Sequence, residues 1–318
     1  MVIALPWEVP PTFAVGAGRS ALGVGRQAWL GEFADLDDAL GSLRAASGAK
    51  PELVAVDLYP GDPARRWAAR VKLPARAVVR HHALVAAVMA AHRLGPDEHV
   101  IGFAFDGGGY GPDGATWGGE VLVAGYKEFR RIAHLDYVRH AGTTAGRTHR
   151  AALAHLRHAG VPWDLDLPPV RACANRERRV LAGQLESGYG CGVTSSLGLL
   201  LDAITALHGP TTGNAAFDPY EMRGLDPGDL VRAVVADLRR RTSTETIAAR
   251  VRATVAALVA EQARRCADDV GLDIVVLAGA VFDDAALTEA VRVALRGFTV
   301  LTGQPPLVLG QLLCAAAG

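Results

Sequence analysis

A chain of 318 residues, half of them hydrophobic, can bury a large core and suits two lobes better than one small domain. Lysine plus arginine equals aspartate plus glutamate at 33 each. No overall field therefore draws the chain to nucleic acid or to an anionic membrane, and neither is expected as a partner.

In chain order, the opening MVIALPWEVPP lacks the basic start, long apolar run and small-residue cleavage site of a signal peptide. No apolar stretch reaches membrane-spanning length. Cys173, Cys191, Cys266 and Cys314 form no CxxC pair, which fits a reducing compartment. A cytoplasmic protein is expected. Val2–Leu5, Thr12–Gly16 and Ala21–Val24 read as three short strands separated by Pro and Gly turns. Asp35–Ala46 has helical spacing, with Leu36, Leu40 and Leu43 on one face. Leu53–Leu58 reads as a strand, Pro63–Val71 as a helix, Ala75–Arg80 as a strand and Ala83–His92 as a helix. The polar stretch Arg93–Glu98 is the linker candidate.

The same order then recurs. Val100–Phe105, Gly119–Ala124 and Arg130–Tyr137 read as strands, and Thr246–Asp269 as a long helix carrying Ile247, Val251, Val255, Leu258 and Val259 at helical spacing. Ile274–Leu277 is a strand, Ala285–Leu295 a helix, Phe298–Leu301 a strand and Leu309–Ala316 a closing helix. Strands followed by helix–strand–helix–strand–helix, occurring twice, predict a duplicated α/β fold. The first lobe is placed at 1–96 and the second at 97–318, with a largely helical insertion at about 141–222. The arginine runs Arg176–Arg179 and Arg239–Arg241 read as solvated helix faces.

Two glycine clusters compete as ligand loops. Gly16-Ala17-Gly18-Arg19-Ser20-Ala21 fits a relaxed dinucleotide pattern. Gly23 and Gly25 follow at once where a helix is required, so a turn between two strands is the better reading. Asp106-Gly107-Gly108-Gly109-Tyr110-Gly111-Pro112-Asp113-Gly114 directly follows an apolar strand, where an α/β sheet presents ligand loops. Its glycines would let backbone N–H groups approach phosphate, and its aspartate could hold a cation. A long hairpin with glycines at turn positions is the equal alternative, and the Gly-Lys-Ser/Thr ending of a P-loop is absent.

The run Gly102–Glu120 (GFAFDGGGYGPDGATWGGE) closely resembles the signature of HypF carbamoyltransferase domains. So do Arg80–His92 and Val193–Ala203, and Leu277–Phe282 and Leu307–Gln311 match later blocks in the same order. The resemblance implies a two-lobed fold of the actin/Hsp70/sugar-kinase (ribonuclease-H-like) type with a central cleft. It also implies ATP, ADP or carbamoyl-adenylate in that cleft, beside a metal. In such domains carbamoyl-adenylate gives its carbamoyl group to a cysteine of HypE, on the way to cyanide on hydrogenase iron. The implied nucleotide-binding residues are Asp106, Gly107, Gly108, Gly109, Gly198, Asp202 and Gly279.

The family's metal ligands are mostly replaced. Its members read His-His-His-Ala-His where this chain reads Arg80-His81-His82-Ala83-Leu84. The first and last of those histidines, four apart on one helical face, correspond to Arg80 and Leu84. His81 and His82 point about 100° and 200° around the helix from Arg80. A further ligand, an aspartate in Pro-Asn-Asp-Gly-Gly, corresponds to Gln304. Asp106 alone survives. The phosphate-contacting Ser-Gly-Gly is Ala278-Gly279-Ala280, and Pro10 stands where the family has a lysine. Even one lost supporting partner costs about 10–100-fold in metal affinity, so no tightly bound metal is expected.

Three functions follow from the resemblance. One is a non-catalytic or weakly active accessory factor in [NiFe]-hydrogenase maturation that binds HypE, HypF or another assembly factor. Another is an active carbamoyltransferase with a rebuilt, metal-poor site; the third is a nucleotide-dependent regulatory module. Arg80, a planar and permanent cation, is expected to take the metal's place against Asp106, with bidentate pairing available to it; the alternative is that Arg80 points to solvent while Asp106 caps its glycine loop.

Overall fold

The computed structural model describes residues 1–16, 18–142, 148–211 and 217–318. Among the described residues, eleven strands and eleven α-helices follow in chain order: β1 (Val2–Gly16), β2 (Arg19–Glu32), α1 (Leu36–Ser47), β3 (Leu53–Asp57), α2 (Pro63–Arg70), β4 (Ala75–Val78), α3 (Arg80–Ala91), β5 (Val100–Tyr110), β6 (Thr116–Ala124), β7 (Phe129–His134), β8 (Val138–Ala141), α4 (Thr148–His158), α5 (Pro168–Ala172), α6 (Asn175–Ser187), β9 (Cys191–Thr194), α7 (Leu197–His208), α8 (Pro227–Arg239), α9 (Thr244–Val270), β10 (Ile274–Ala278), α10 (Ala285–Ala294), β11 (Thr299–Thr302) and α11 (Leu307–Ala317).

Strand pairing exposes the repeat. In the first sheet the order is β2-β1-β3-β4, with β1 antiparallel to β2 and the remaining pairs parallel. In the second, β6-β5-β10-β11 has the same order and the same directions, and β7 adds a further antiparallel strand on β6. The helices correspond too: α2 and α10 link the parallel strands, and α3 and α11 follow the last strand of each sheet. The α/β fold with two sheets is therefore the one the sequence predicts.

The first lobe departs from the reading in detail. Three short N-terminal strands were expected, but Val2–Leu5 and Thr12–Gly16 are one strand, β1, running through Pro6, Pro10 and Pro11. The prolines fit because the register against β2 slips between Ala4 and Val9 and again between Val9 and Thr12, while pairing to β3 starts only at Thr12. Residues 6–10 thus have a free edge and bulges, and Pro11 joins the next strand only through its carbonyl, which accepts the Glu52 N–H at 2.7 Å, so the missing N–H groups break no ladder bond. The hairpin reading of the first glycine cluster holds, with Gly16 opposite Arg19.

The core lies in three layers. Phe13, Leu22, Val54, Val56 and Trp67 pack the outer face of the first sheet against α1 and α2. Between the sheets, α3 and α11 bury Val85, Met89, Leu309, Leu312 and Leu313 against β1, β5 and β10. The outer face of the second sheet is covered by a larger cluster from α4 to α10. The two central helices cross so closely that a Cβ on Gly310 would stand 1.8 Å from the Ala83 carbonyl oxygen, so only glycine fits there. Through α11, the chain's last helix returns to pack on the first sheet. Among the described residues, no helix is long and apolar enough to cross a membrane.

Candidate cleft site

A cavity of about 930 Å³ opens beside the glycine-rich hairpin, within the size range of small-molecule sites. Its lining comes from the β1–β2 turn (Gly16, Arg19), the end of β3 (Asp57, Tyr59), the start of α3 (Arg80), the glycines of β5 and the start of α11 (Gln311). Gly107, Gly108 and Gly109 belong to β5 itself, which is bulged between Phe105 and Gly109 before the hairpin turns into β6. The hairpin alternative thus holds for the backbone, and the bulge turns the glycine run toward the cavity.

Asp106 stands at the base of this run, 5% exposed. Arg80, the first residue of α3, donates from Nε to Asp106 Oδ2 at 2.7 Å. The other carboxylate oxygen accepts the Gly107 N–H at 2.9 Å. The pair expected from sequence is therefore formed and ties α3 to β5. It is not bidentate: a single guanidinium nitrogen engages the carboxylate, and among the described residues no acceptor meets the terminal amino groups of Arg80. Gly109 makes room for this side chain, since a Cβ there would lie 2.8 Å from Arg80 Cδ. Across the cavity, burial raises the Asp57 carboxyl, while the charge of Arg80 acts in the opposite sense.

The other site residues predicted from sequence divide into two groups. Gly198, on the first turn of α7, sits directly on the glycine run: a Cβ would meet Gly107 Cα at 2.8 Å and the Asp106 carbonyl at 2.9 Å. Ser196 fixes this approach by capping α7 through the Leu199 N–H while donating its hydroxyl to the Asp106 carbonyl at 2.8 Å. Gly279 lies behind the site against the Phe105 carbonyl, and Gln304 Nε2 reaches the Gly279 carbonyl at 3.4 Å. Asp202 is exposed further along α7 and is not among the residues lining the cavity. Leu84 packs on the apolar layer between the sheets.

These neighbours do not suit a metal ion. Asp106 offers its oxygens to a permanent cation and a backbone N–H, Leu84 has no donor atom, and Gln304 is turned to a carbonyl. His81 is fully buried and both its ring nitrogens lack a partner. Burial holds its imidazole down at about 4, against the pull of the Glu120 and Asp106 charges. His82 contacts the Gly125 carbonyl through Nε2 at 2.7 Å, on the far side of the helix.

Sequence reasoning missed a second polar group beneath the hairpin. Glu120, with no exposed surface, accepts from Arg131 Nε at 2.5 Å, from Ser195 Oγ at 2.5 Å and from the Gly118 and Gly119 N–H groups. Arg131 lies over the Trp117 ring at 3.9 Å and also bonds Asp113 and Tyr137. The signal was a lone carboxylate in the apolar strand Gly119–Ala124, which demands a buried cation nearby. Gln311 was missed as well. It is fully buried, its amide atoms have no partner among the described residues, and its carbonyl oxygen lies 2.3 Å from where a Cβ of Gly16 would stand.

Comparison with known proteins agrees with this architecture. The family described as "Carbamoyltransferase, Kae1-like Domain, second subdomain" matches residues 102–218 and 210–307, and "HypF Kae1-like domain" matches 11–91. Carbamoyltransferase HypF of Rhodobacter capsulatus is 31% identical over 301 residues, covering 84% of this chain and 40% of that protein. Its counterpart in Rhizobium leguminosarum bv. viciae is 38% identical over 163 residues, 50% of this chain and 21% of that one. A crystal structure of full-length HypF in its phosphate- and nucleotide-bound form superposes with a TM-score of 0.87 at 26% identity, over 99% of this chain and 47% of that one. The T. kodakarensis HypF structure shares the fold, with a TM-score of 0.82 at 24% identity, over 100% of this chain and 49% of that one. The chain thus spans less than half the length of these relatives. With both family matches laid end to end along it, this chain belongs to the HypF Kae1-like carbamoyltransferase domain family.

Proposed function

We propose that this chain is a HypF-type carbamoyltransferase-like protein that serves [NiFe]-hydrogenase maturation as an accessory factor with little or no carbamoyl transfer of its own. The observation that carries the reading is the Arg80–Asp106 bond at 2.7 Å. It places a fixed guanidinium on the one carboxylate that remains from the family's ligand set. A guanidinium can bind an anion, but it cannot lend an empty orbital to polarise a carbonyl as a metal does. No step of the chemistry is therefore routed through a metal.

Nucleotide binding is the part of the family's behaviour the cleft still supports. Gly107–Gly109 line a cavity of suitable size, and Gly198 and Ser196 hold the α7 N-terminus against them. ATP, ADP or carbamoyl-adenylate would bind weakly there, and HypE or HypF would be the partners. Location in the cytoplasm belongs to the same reading.

One observation favours the active alternative: the terminal amino groups of Arg80 have no acceptor among the described residues, and Arg80 lines the cavity. They could neutralise a phosphate or carbamoyl oxygen in place of a metal. Turnover separates the two readings. The assay supplies carbamoyl phosphate, ATP, HypE and the remaining domains of HypF, and follows carbamoyl transfer with this chain as the sole Kae1-like domain. We expect transfer at the background rate. Turnover near that of intact HypF, abolished by Arg80→Ala, would establish the alternative.

A further inference from the structure

Away from the cleft, the helical insertion brings three different donor atoms together. His149 lies in the first turn of α4, Cys173 at the C-terminal end of α5 and Glu177 in the first turn of α6. One ring nitrogen, the thiol sulfur and one carboxylate oxygen all lie within 4.8 Å of one another. None of these residues lines the cleft.

We propose that His149, Cys173 and Glu177 form a site for one zinc-type divalent ion that staples the three insertion helices. The donor chemistry points to this class of metal: imidazole and thiolate select a borderline-soft ion, and a His–Cys–carboxylate set leaves a fourth position for water. Geometry agrees. Ligand bonds of about 2.0–2.3 Å at tetrahedral angles separate neighbouring donors by about 3.3–3.8 Å. His149 Nε2 and Glu177 Oε1 lie 3.4 Å apart, at the outer limit for a hydrogen bond and inside the range for two ligands of one ion. The Cys173 sulfur is held at the bottom of the group, 2% exposed, with a distant contact to the Ala174 carbonyl at 3.9 Å. His149 and Glu177 are partly exposed and form the rim through which an ion and its water would enter.

An ion pair is the competing role for these residues, since Arg150 Nε is 3.8 Å from Glu177 Oε1. The two roles predict different things. As a metal site, the group binds one equivalent, and Cys173 loses its proton to become a ligand. As an ion pair, it binds none.

The test uses the whole purified chain, stripped with chelator under reducing conditions and titrated with Co(II), then with Zn(II) in competition. One equivalent of Co(II) should give thiolate-to-cobalt charge-transfer absorption and intense tetrahedral d–d bands, and Zn(II) should bleach both. Cys173→Ser should remove the charge-transfer band. His149→Ala and Glu177→Gln should weaken Zn(II) binding by at least about 10–100-fold, the loss typical even for residues that only support a ligand. Asp106→Asn, in the cleft, should leave the titration unchanged. Should Cys173→Ser fold poorly, the partly exposed Glu177→Gln still decides. Absence of the band in the parent chain, the same band in Cys173→Ser, or unchanged affinity in Glu177→Gln would each overturn the site.

Discussion

Replacing Arg80 by alanine tests whether the guanidinium holds the two halves of the cleft. Two figures bound the loss from above. The raw attraction of opposite charges about 4 Å apart is on the order of 4 kcal/mol at an effective dielectric near 20. Removing one partner of a fully buried pair costs about 3–5 kcal/mol, mostly because the other charge is left behind. Here that figure must come down. The Arg80 side chain is 29% exposed against 8% for Asp106, and Asp106 keeps the Gly107 N–H. A destabilisation of about 2 kcal/mol is therefore expected for Arg80→Ala. Asp106→Asn should cost less, because the Arg80 side chain left without its partner is 29% exposed, although the single amide oxygen can keep only one of the two bonds, from Gly107 or from the guanidinium.

The diagnostic quantity is the coupling between the two. Urea unfolding of the parent, Arg80→Ala, Asp106→Asn and the double variant closes a cycle in which the double variant should recover about 1 kcal/mol relative to additivity. A chain with two lobes can unfold in steps, so coincident fluorescence and circular-dichroism transitions are needed before the cycle is read. Coupling indistinguishable from zero would show that Arg80 and Asp106 act independently, and the guanidinium would lose its role as the metal's replacement.

The remaining expectations concern acid, packing and ligands. His81 is held near 4 by burial, and 6.5 is its ordinary value. Between those values the unfolded chain takes up a proton that the folded chain refuses. The stability His81 contributes is complete above pH 6.5 and is lost as pH falls to about 4, roughly 3 kcal/mol in all. His155, held at about 3 chiefly by burial, adds a loss of the same sign. Equilibrium unfolding from pH 8 to pH 4 reads this, and His81→Leu should flatten the curve; an unchanged slope would refute the assignment. Gly198→Ala places a methyl 2.8 Å from backbone at Gly107, so it should cost about 1–3 kcal/mol and abolish any thermal shift with ATP. Arg80→His with Leu84→His and Gln304→Asp restores the family's donors, and the triple variant should bind a divalent ion by calorimetry where Asp106→Asn in the same background does not. Removing Arg131 leaves the Glu120 carboxylate buried without its cation, and Arg131→Ala should lower stability by about 3–5 kcal/mol.

The duplicated order of strands and helices was legible because apolar periodicity carries it and because each helix-to-strand step in the parallel halves is short. Where prolines punctuate β1, the same reasoning failed. A free edge and two bulges let one strand continue where local rules call for turns. In the cleft, Arg80 could be foreseen as a partner for Asp106 because a permanent cation stood where a metal ligand was expected. That the contact uses only Nε could not be foreseen, because it depends on how Gly109 and the bulge in β5 place the side chain. The Glu120 group joins residues 75 positions apart in its bond to Ser195. No local pattern encodes such a pairing, although the charge in an apolar strand announces that some partner must exist.

The missing ligands do not leave a damaged cleft, and that bears on how the chain is to be understood. A carboxylate stripped of its metal would be a buried charge without compensation, costly enough to favour its replacement by a neutral residue. Asp106 has instead been kept, and its two oxygens are both engaged by the chain itself. Ser196 and Gly198 still hold α7 on the glycine run at backbone contact, and Gly310 still lets α11 cross α3 directly beneath the cleft. Packing keeps Gly108 and Gly109 small, whereas a Cβ on Gly107 would meet nothing within 4 Å, and the open space beside it is lined by Arg80 and Asp57. What the geometry retains is an open cavity lined by Gly107–Gly109 and Arg80, with α3 and α11 joining it to the apolar layer between the two sheets.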